Sequence, residues 1–210
     1  MAWDAILFDL DGTLWNATHI TAKAWEQVLR AHPEIHRKVD LKIIQSLMGL
    51  TNEAVGQILF PELSMQDSFR FMKESCDWEL KLLQEEGGHL YPETYTSLQK
   101  ITARYPMGII SNCQAGYIET FLTYHKLSSL FQDHICSGDT GKEKCENIRM
   151  LCTRQGYRNP VYIGDTLGDA EAAEQAGCDF LWASYGFGQV PPEKRCGILH
   201  TLGDIFQYIE

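Results

Sequence analysis

The chain has 210 residues, 44% hydrophobic and 11% aromatic, enough for one domain or for one domain carrying a smaller insertion. Its formal net charge of −10 argues against nucleic acid or an anionic membrane as partner, and requires any anionic substrate to be held by local positive groups. No run approaches the roughly 20 apolar residues of a membrane span, and the apolar stretch before Asp9 is too short for a signal peptide. Seven cysteines with no Cys-x-x-Cys pair read as reduced thiols, so the expected location is cytoplasmic.

The first element is the apolar run Ala5-Ile6-Leu7-Phe8, which runs straight into Asp9-Leu10-Asp11-Gly12-Thr13. In an extended chain residues two apart face the same side, so Asp9 and Asp11 can share one site at the end of a buried strand. Gly12 lets the chain turn away, and Thr13 can bond a backbone group or an anion. Two adjacent carboxylates need a cation or a proton between them. Taken alone, the pentapeptide fits a plain Asp-Gly turn equally well.

A long helical stretch follows. Ala24, Trp25, Val28 and Leu29 make one amphipathic face. Asp40, Thr51 and Ser64 are positioned to cap three more helices, with Gly49 and Pro61 as breaks and Gly87-Gly88 as the close. A βαβ crossover needs only about a dozen residues, so the roughly seventy residues from Thr18 to Gly88, ahead of the next apolar run, form an inserted helical subdomain. The glycine turn Met48-Gly49-Leu50-Thr51 joins two amphipathic helices and can face the rest of the protein or solvent.

Beyond Tyr91 and Pro92 the pattern alternates. Apolar runs Met107-Gly108-Ile109-Ile110, His134-Ile135-Cys136, Val161-Tyr162-Ile163 and Phe180-Leu181-Trp182-Ala183 alternate with helical segments. That alternation predicts an α/β fold, a Rossmann-like parallel sheet flanked by helices. Ligands of such sheets bind beyond the carboxyl ends of the strands. Asp9, Ser111-Asn112 and Asp165-Thr166-Leu167-Gly168-Asp169 all fall there. Each has a bland alternative: Ser111 or Asn112 as a cap for the helix carrying Tyr117, Asp169 as a cap for the helix after it, and Lys142 and Lys144 as a solvated charge run. His19 is the histidine nearest the Asp9–Thr13 segment, Cys113 follows Ser111-Asn112, and Gly186-Phe187-Gly188 is a loop of open role at the same edge.

These four segments together resemble the haloacid dehalogenase superfamily of aspartate-nucleophile phosphatases. The first motif is Asp9-x-Asp11-Gly12-Thr13 and the second is Ser111. The third is a lysine, with Lys144 favoured because it immediately precedes a helical pattern and Lys142 as the alternative. The fourth is Gly164-Asp165-Thr166-x-Gly168-Asp169. The resemblance implies a core of residues 1–16 and 89–210 and a helical cap of residues 17–88. It implies a magnesium-dependent phosphatase acting on a small phosphorylated metabolite through an aspartyl phosphate. In that scheme Asp9 is the nucleophile and Asp11 the acid and base. Gly12, Thr13, Ser111, Asn112 and Lys144 bind phosphate, and Asp9, Asp11, Asp165 and Asp169 hold or support Mg²⁺, which prefers oxygen ligands. A sugar phosphomutase on the same core and a phospho-accepting receiver module are the alternatives. Within the family the resemblance is to phosphoglycolate phosphatase-like members with a helical cap, whose relatives include sugar-phosphate phosphatases; Asn16, where many of them have a carboxylate, and the bulk of Trp15 keep any exact substrate from being carried over.

Overall fold

Ala5-Ile6-Leu7-Phe8 forms β1 (Ala5–Phe8), and every one of its residues is fully buried, as an apolar strand covered on both faces must be. Ile6, Leu7 and Phe8 each contribute about 1.5–3 kcal/mol by leaving water. The computed structural model describes residues 2–209. After β1 come β2 (Trp15–Asn16), α1 (Thr18–Ala31), α2 (Leu41–Leu47), α3 (Asn52–Leu59), α4 (Met65–Glu86) and β3 (His89–Leu90). Next are α5 (Thr94–Ile101), β4 (Met107–Ser111), α6 (Tyr117–Tyr124), β5 (Asp133–Cys136) and α7 (Ser137–Thr140). The chain finishes through α8 (Lys144–Gln155), β6 (Pro160–Gly164), α9 (Leu167–Ala176), β7 (Asp179–Ala183), β8 (Gly197–Leu199) and α10 (Phe206–Ile209).

Six strands form one sheet in the order β5-β4-β1-β6-β7-β8, and every pairing is parallel. The chain leaves β1 for β4 on one side and reaches β6 on the other, so β1 lies at the switch point where such sheets open a crevice for ligands. Phe8 pairs with Ile109 and with Ile163, which sets the carboxyl ends of β1, β4 and β6 side by side. Two hydrophobic clusters cover the faces of the sheet. One is built on Phe8, Ile109 and Phe121, the other on Leu7, Tyr162 and Leu151.

Helices α1 to α4 lie between β2 and β3, which pair antiparallel with Asn16 opposite His89. The chain therefore leaves and re-enters through adjacent crossings. Asn16 Oδ1 accepts from the Thr18 amide (3.0 Å) and hydroxyl (2.7 Å) where α1 begins. The expected caps are formed: Asp40 accepts from Ile43 N (3.0 Å), Thr51 from Ala54 N (3.4 Å) and Ser64 from Asp67 N (3.1 Å). These helices bury a cluster of their own around Trp25, Val28, Phe60, Phe71 and Met72. Among the described residues no helix is long and apolar enough to cross a membrane.

Two features escaped the sequence pattern. The two-residue strands β2 and β3, and the three-residue edge strand β8, are too short to show a period. Helix α6 is not capped by Ser111 or Asn112, since its N-cap is Gly116 in a left-handed conformation (φ 84°). Asp169 is not the N-cap of α9 either. Thr166 is, and Asp169 closes the capping box as its partner three residues on.

Candidate active site

The end of β1 delivers Asp9, and Gly12 then reverses the chain at φ +85°, where a β-carbon would collide with the Asp165 carboxylate. The end of β6 delivers Asp165, which Gly186 also packs against, and the Phe187 amide donates to its Oδ2 (2.6 Å). The first residue of α8 supplies Lys144, whose Nζ donates to Asp9 Oδ1 (2.7 Å) and Asp169 Oδ1 (2.5 Å). The other Asp169 oxygen accepts from the Thr166 amide (3.0 Å) and hydroxyl (2.6 Å), so the capping box of α9 also aims Asp169 at the lysine. Asp11 is only partly buried, and its Oδ1 accepts from the Tyr117 hydroxyl (2.9 Å). Ser111 is buried at the end of β4, and its Oγ accepts from Cys113 N (3.3 Å).

The electrostatics are lopsided: four carboxylates face one ammonium. Burial, opposed by Lys144, raises the Asp9 carboxyl to about 7. Burial, followed by the charge of Asp9, raises Asp11 to about 8. Burial and then the charge of Asp169 push Asp165 well above the usual carboxylate range. Burial alone would lower Lys144, but Asp169 and Asp9 outweigh it and hold the ammonium above its normal value. Carboxylate oxygens of Asp9, Asp165 and Asp169 lie within 4.8 Å of one another, and Asp165 Oδ1 is buried with no hydrogen-bond partner among the described residues. An all-oxygen cluster, in excess negative charge and with an orphaned buried acceptor, fits a hard divalent cation such as Mg²⁺.

A cavity of about 80 Å³ opens over Asp9 and Asp11. Its core side carries Ser111, Asn112 and Gln114; its far side is made by α1 to α4 and by the turn Met48-Gly49-Leu50. That turn faces the core, since Asn112 Nδ2 donates to Gly49 O (2.8 Å).

Of the residues singled out in the sequence, Asp9, Asp165, Asp169 and Lys144 meet in one buried cluster. Asp11 lies beside it with its carboxylate turned to Tyr117, outside the three-carboxylate group. Ser111 and Asn112 line the cavity, but the Asn112 amide is engaged at both ends, with Gly49 O and with Ser137 Oγ (2.9 Å). Thr13 is buried with its Oγ1 unpartnered, while its carbonyl accepts from Tyr185 (2.9 Å). Lys142 is exposed beside Glu146 (3.7 Å), so the structure brings Lys144 and not Lys142 to the carboxylates. His19 stacks on His89, 4.5 Å between centroids. Burial raises the Cys113 thiol, which keeps it protonated. Sequence reasoning missed Tyr117, Gln114 and Glu79 as parts of the site, and it placed Thr166 in the fourth motif and Phe187 in a loop at the same edge without giving either a role. Only Thr166 had a local signal, the Thr-x-x-Asp capping box.

A family model described as haloacid dehalogenase-like hydrolase matches residues 6–183. The chain belongs to the haloacid dehalogenase-like hydrolases. By sequence it is 26% identical over 204 residues to a phosphoglycolate phosphatase of Aliivibrio fischeri, covering 89% of this chain and 86% of that one. Its fold matches a haloacid dehalogenase-like family hydrolase of Streptococcus pneumoniae with a TM-score of 0.84 at 20% identity, over 99% of both chains. It also matches a superfamily protein of Bacillus subtilis, described as bound to magnesium and as showing interdomain movement, with a TM-score of 0.77 at 18% identity over 100% of both. At those identities the two structures speak for the fold alone. Both agree with the parallel sheet and flanking helices found here.

Proposed function

We propose that this hydrolase is a phosphatase that removes the phosphoryl group from a small phosphorylated metabolite through an aspartyl phosphate on Asp9, with Mg²⁺ as cofactor. The observation that carries the reading is Lys144, buried and hydrogen-bonded to both Asp9 and Asp169 at the switch point of the sheet. A buried ammonium there holds the nucleophile in one orientation and supplies positive charge where phosphoryl oxygens must be stabilised. The phosphatase relatives support the same reaction class.

In the first step an Asp9 carboxylate oxygen attacks phosphorus and the bond to the leaving oxygen breaks. Asp11, whose carboxyl is pushed upward by burial and by the charge of Asp9 and which is steadied by Tyr117, gives its proton to that oxygen. In the second step the same carboxylate takes a proton from water as the water attacks phosphorus, which frees Asp9 and inorganic phosphate. Ser111, Lys144 and the turn at Gly12 and Thr13 are the groups assigned to the phosphoryl oxygens, with Asn112 holding the Gly49 turn over them. Asp9 and Asp165, with the Asp11 backbone, are assigned to hold the cation, and Asp169 to orient Lys144. When bound, Mg²⁺ supplies charge neutralisation between the carboxylates and an anionic phosphate. Helices α1 to α4 act as a cap that excludes water and contacts the leaving group.

The test is turnover of p-nitrophenyl phosphate with Mg²⁺ and recovery of an acid-stable phosphoenzyme after a quench. Full activity in excess chelator, or no phosphate bound to Asp9 in a trapped enzyme, would refute it.

A further inference from the structure

The cavity over Asp9 and Asp11 has a charge pattern that the phosphoryl chemistry does not require. Among its lining residues there is no lysine, arginine or histidine. Its far side instead carries Glu79 of α4, only 8% exposed and in no ion pair among the described residues. A carboxyl buried without a counter-charge is destabilising unless it is well hydrogen-bonded. Here two donors serve it: Thr21 Oγ1 to Oε1 (2.6 Å) and Gln114 Nε2 to Oε2 (2.8 Å). Gln114 is held in that orientation, since its Oε1 accepts from Asn52 Nδ2 (3.3 Å).

A carboxylate offers about four lone-pair positions, so each Glu79 oxygen keeps one for a ligand. Protonation does not change what the cavity meets. The Thr21 hydroxyl also has Ala17 O within reach (3.3 Å), so Thr21 can turn its own hydrogen to Ala17 and accept one from a protonated Glu79. In either state Glu79 presents acceptor atoms to the leaving group.

We propose that Glu79, set by Thr21 and Gln114, selects phosphomonoesters whose small leaving alcohol is uncharged or cationic and carries a hydrogen-bond donor, and rejects those bearing a second anion. This rests on the phosphatase reading and narrows its substrate class to phosphorylated polyols and amino alcohols. Phosphoglycolate, the substrate in the relatives' name, has a carboxylate on its leaving group. That carboxylate would set acceptor against acceptor at Glu79, with no donor cation in the lining to offset it, the kind of mismatch that sets specificity by exclusion.

The experiment is steady-state kinetics of the Mg²⁺-loaded protein on four substrates: p-nitrophenyl phosphate, glycerol 3-phosphate, O-phosphoethanolamine and 2-phosphoglycolate. The expected wild-type result is a kcat/KM at least about tenfold higher for glycerol 3-phosphate or O-phosphoethanolamine than for 2-phosphoglycolate. Glu79→Gln, which adds an N–H donor at the same size, should move that ratio toward 2-phosphoglycolate by about tenfold. Gln114→Lys, which places a cation beside Glu79, should move it the same way and serves if Glu79→Gln does not fold. Wild-type preference for 2-phosphoglycolate, with p-nitrophenyl phosphate turned over, overturns this inference and leaves the phosphatase reading standing. A ratio unmoved in a folded variant overturns it too. No turnover of p-nitrophenyl phosphate refutes the phosphatase reading and this inference with it.

Discussion

Lys144→Met tests the centre of the site through stability, without relying on catalysis. The side chain is 5% exposed and makes two charge-assisted hydrogen bonds, to Asp9 and Asp169, whose own side chains are 4% and 1% exposed. Removing it strands buried carboxylates, and breaking a buried pair from one side costs about 3–5 kcal/mol. For a chain of this size that lowers Tm by roughly 6–20 °C. The sign of the pH dependence follows from Asp9. Its folded pKa, about 7, already lies above the usual carboxylate value, so its favourable contribution is complete at low pH and is lost as pH rises through 7. Without the ammonium that pKa climbs further, and the folded variant binds more protons than wild type between pH 5 and 8. Its stability therefore falls more steeply with pH, and the deficit widens from the low end of the range at pH 5 to the high end at pH 8. The assay is urea unfolding followed by far-UV circular dichroism, in chelator, at both pH values. Lys142→Met is the control. That lysine is 45% exposed with a 3.7 Å contact to Glu146, and its loss should change stability by less than about 0.5 kcal/mol. A deficit under about 1 kcal/mol at pH 8 for Lys144→Met, or one that shrinks as pH rises, would refute the argument.

Asp9→Asn should abolish turnover without lowering Tm at pH 8, since it removes the nucleophile together with a charge that burial already disfavours; residual activity above a trace sinks the covalent route. Asp11→Asn should let phosphoenzyme build up and should slow alkyl phosphates more than p-nitrophenyl phosphate, whose good leaving group needs no proton; equal slowing of both would remove the acid role. Asp165→Ala should raise the Mg²⁺ concentration for half-maximal activity by more than about tenfold, measured by metal titration. Asn112→Ala cuts the tie to Gly49 O and should change relative rates across a panel of alkyl phosphates more than the rate with p-nitrophenyl phosphate; an unchanged ranking would assign the Gly49 turn no part in substrate choice.

The carboxylates that meet in the buried cluster were legible because each is written within a few residues of a strand end. Asp9 and Asp165 close apolar runs whose burial on both faces forces a parallel sheet, and a parallel sheet forces those ends together. The lysine was less legible. Lys142 and Lys144 stand two residues apart in a charged stretch, and only the start of α8 at Lys144 turns one of them inward. The caps at Asp40, Thr51 and Ser64 were legible for the same local reason, a hydroxyl or carboxylate three residues before the amide it serves. The surroundings of the leaving group follow no such rule. Glu79 reads in sequence as one charge among many on a polar helix, and Gln114 as one polar residue in a loop. They meet across 35 residues because α4 packs on α6 and brings the cavity with it. Asn52 reaches Gln114 across 62 residues by the same docking. No period or motif records a contact between two elements whose relative placement is fixed only when both are folded. On the proposed reading the chemistry is written in the strand ends, and the choice of substrate in the seam between helices α1 to α4 and the loop after β4. On that reading two relatives that share every residue of the first would still differ in the second through one side chain at position 79.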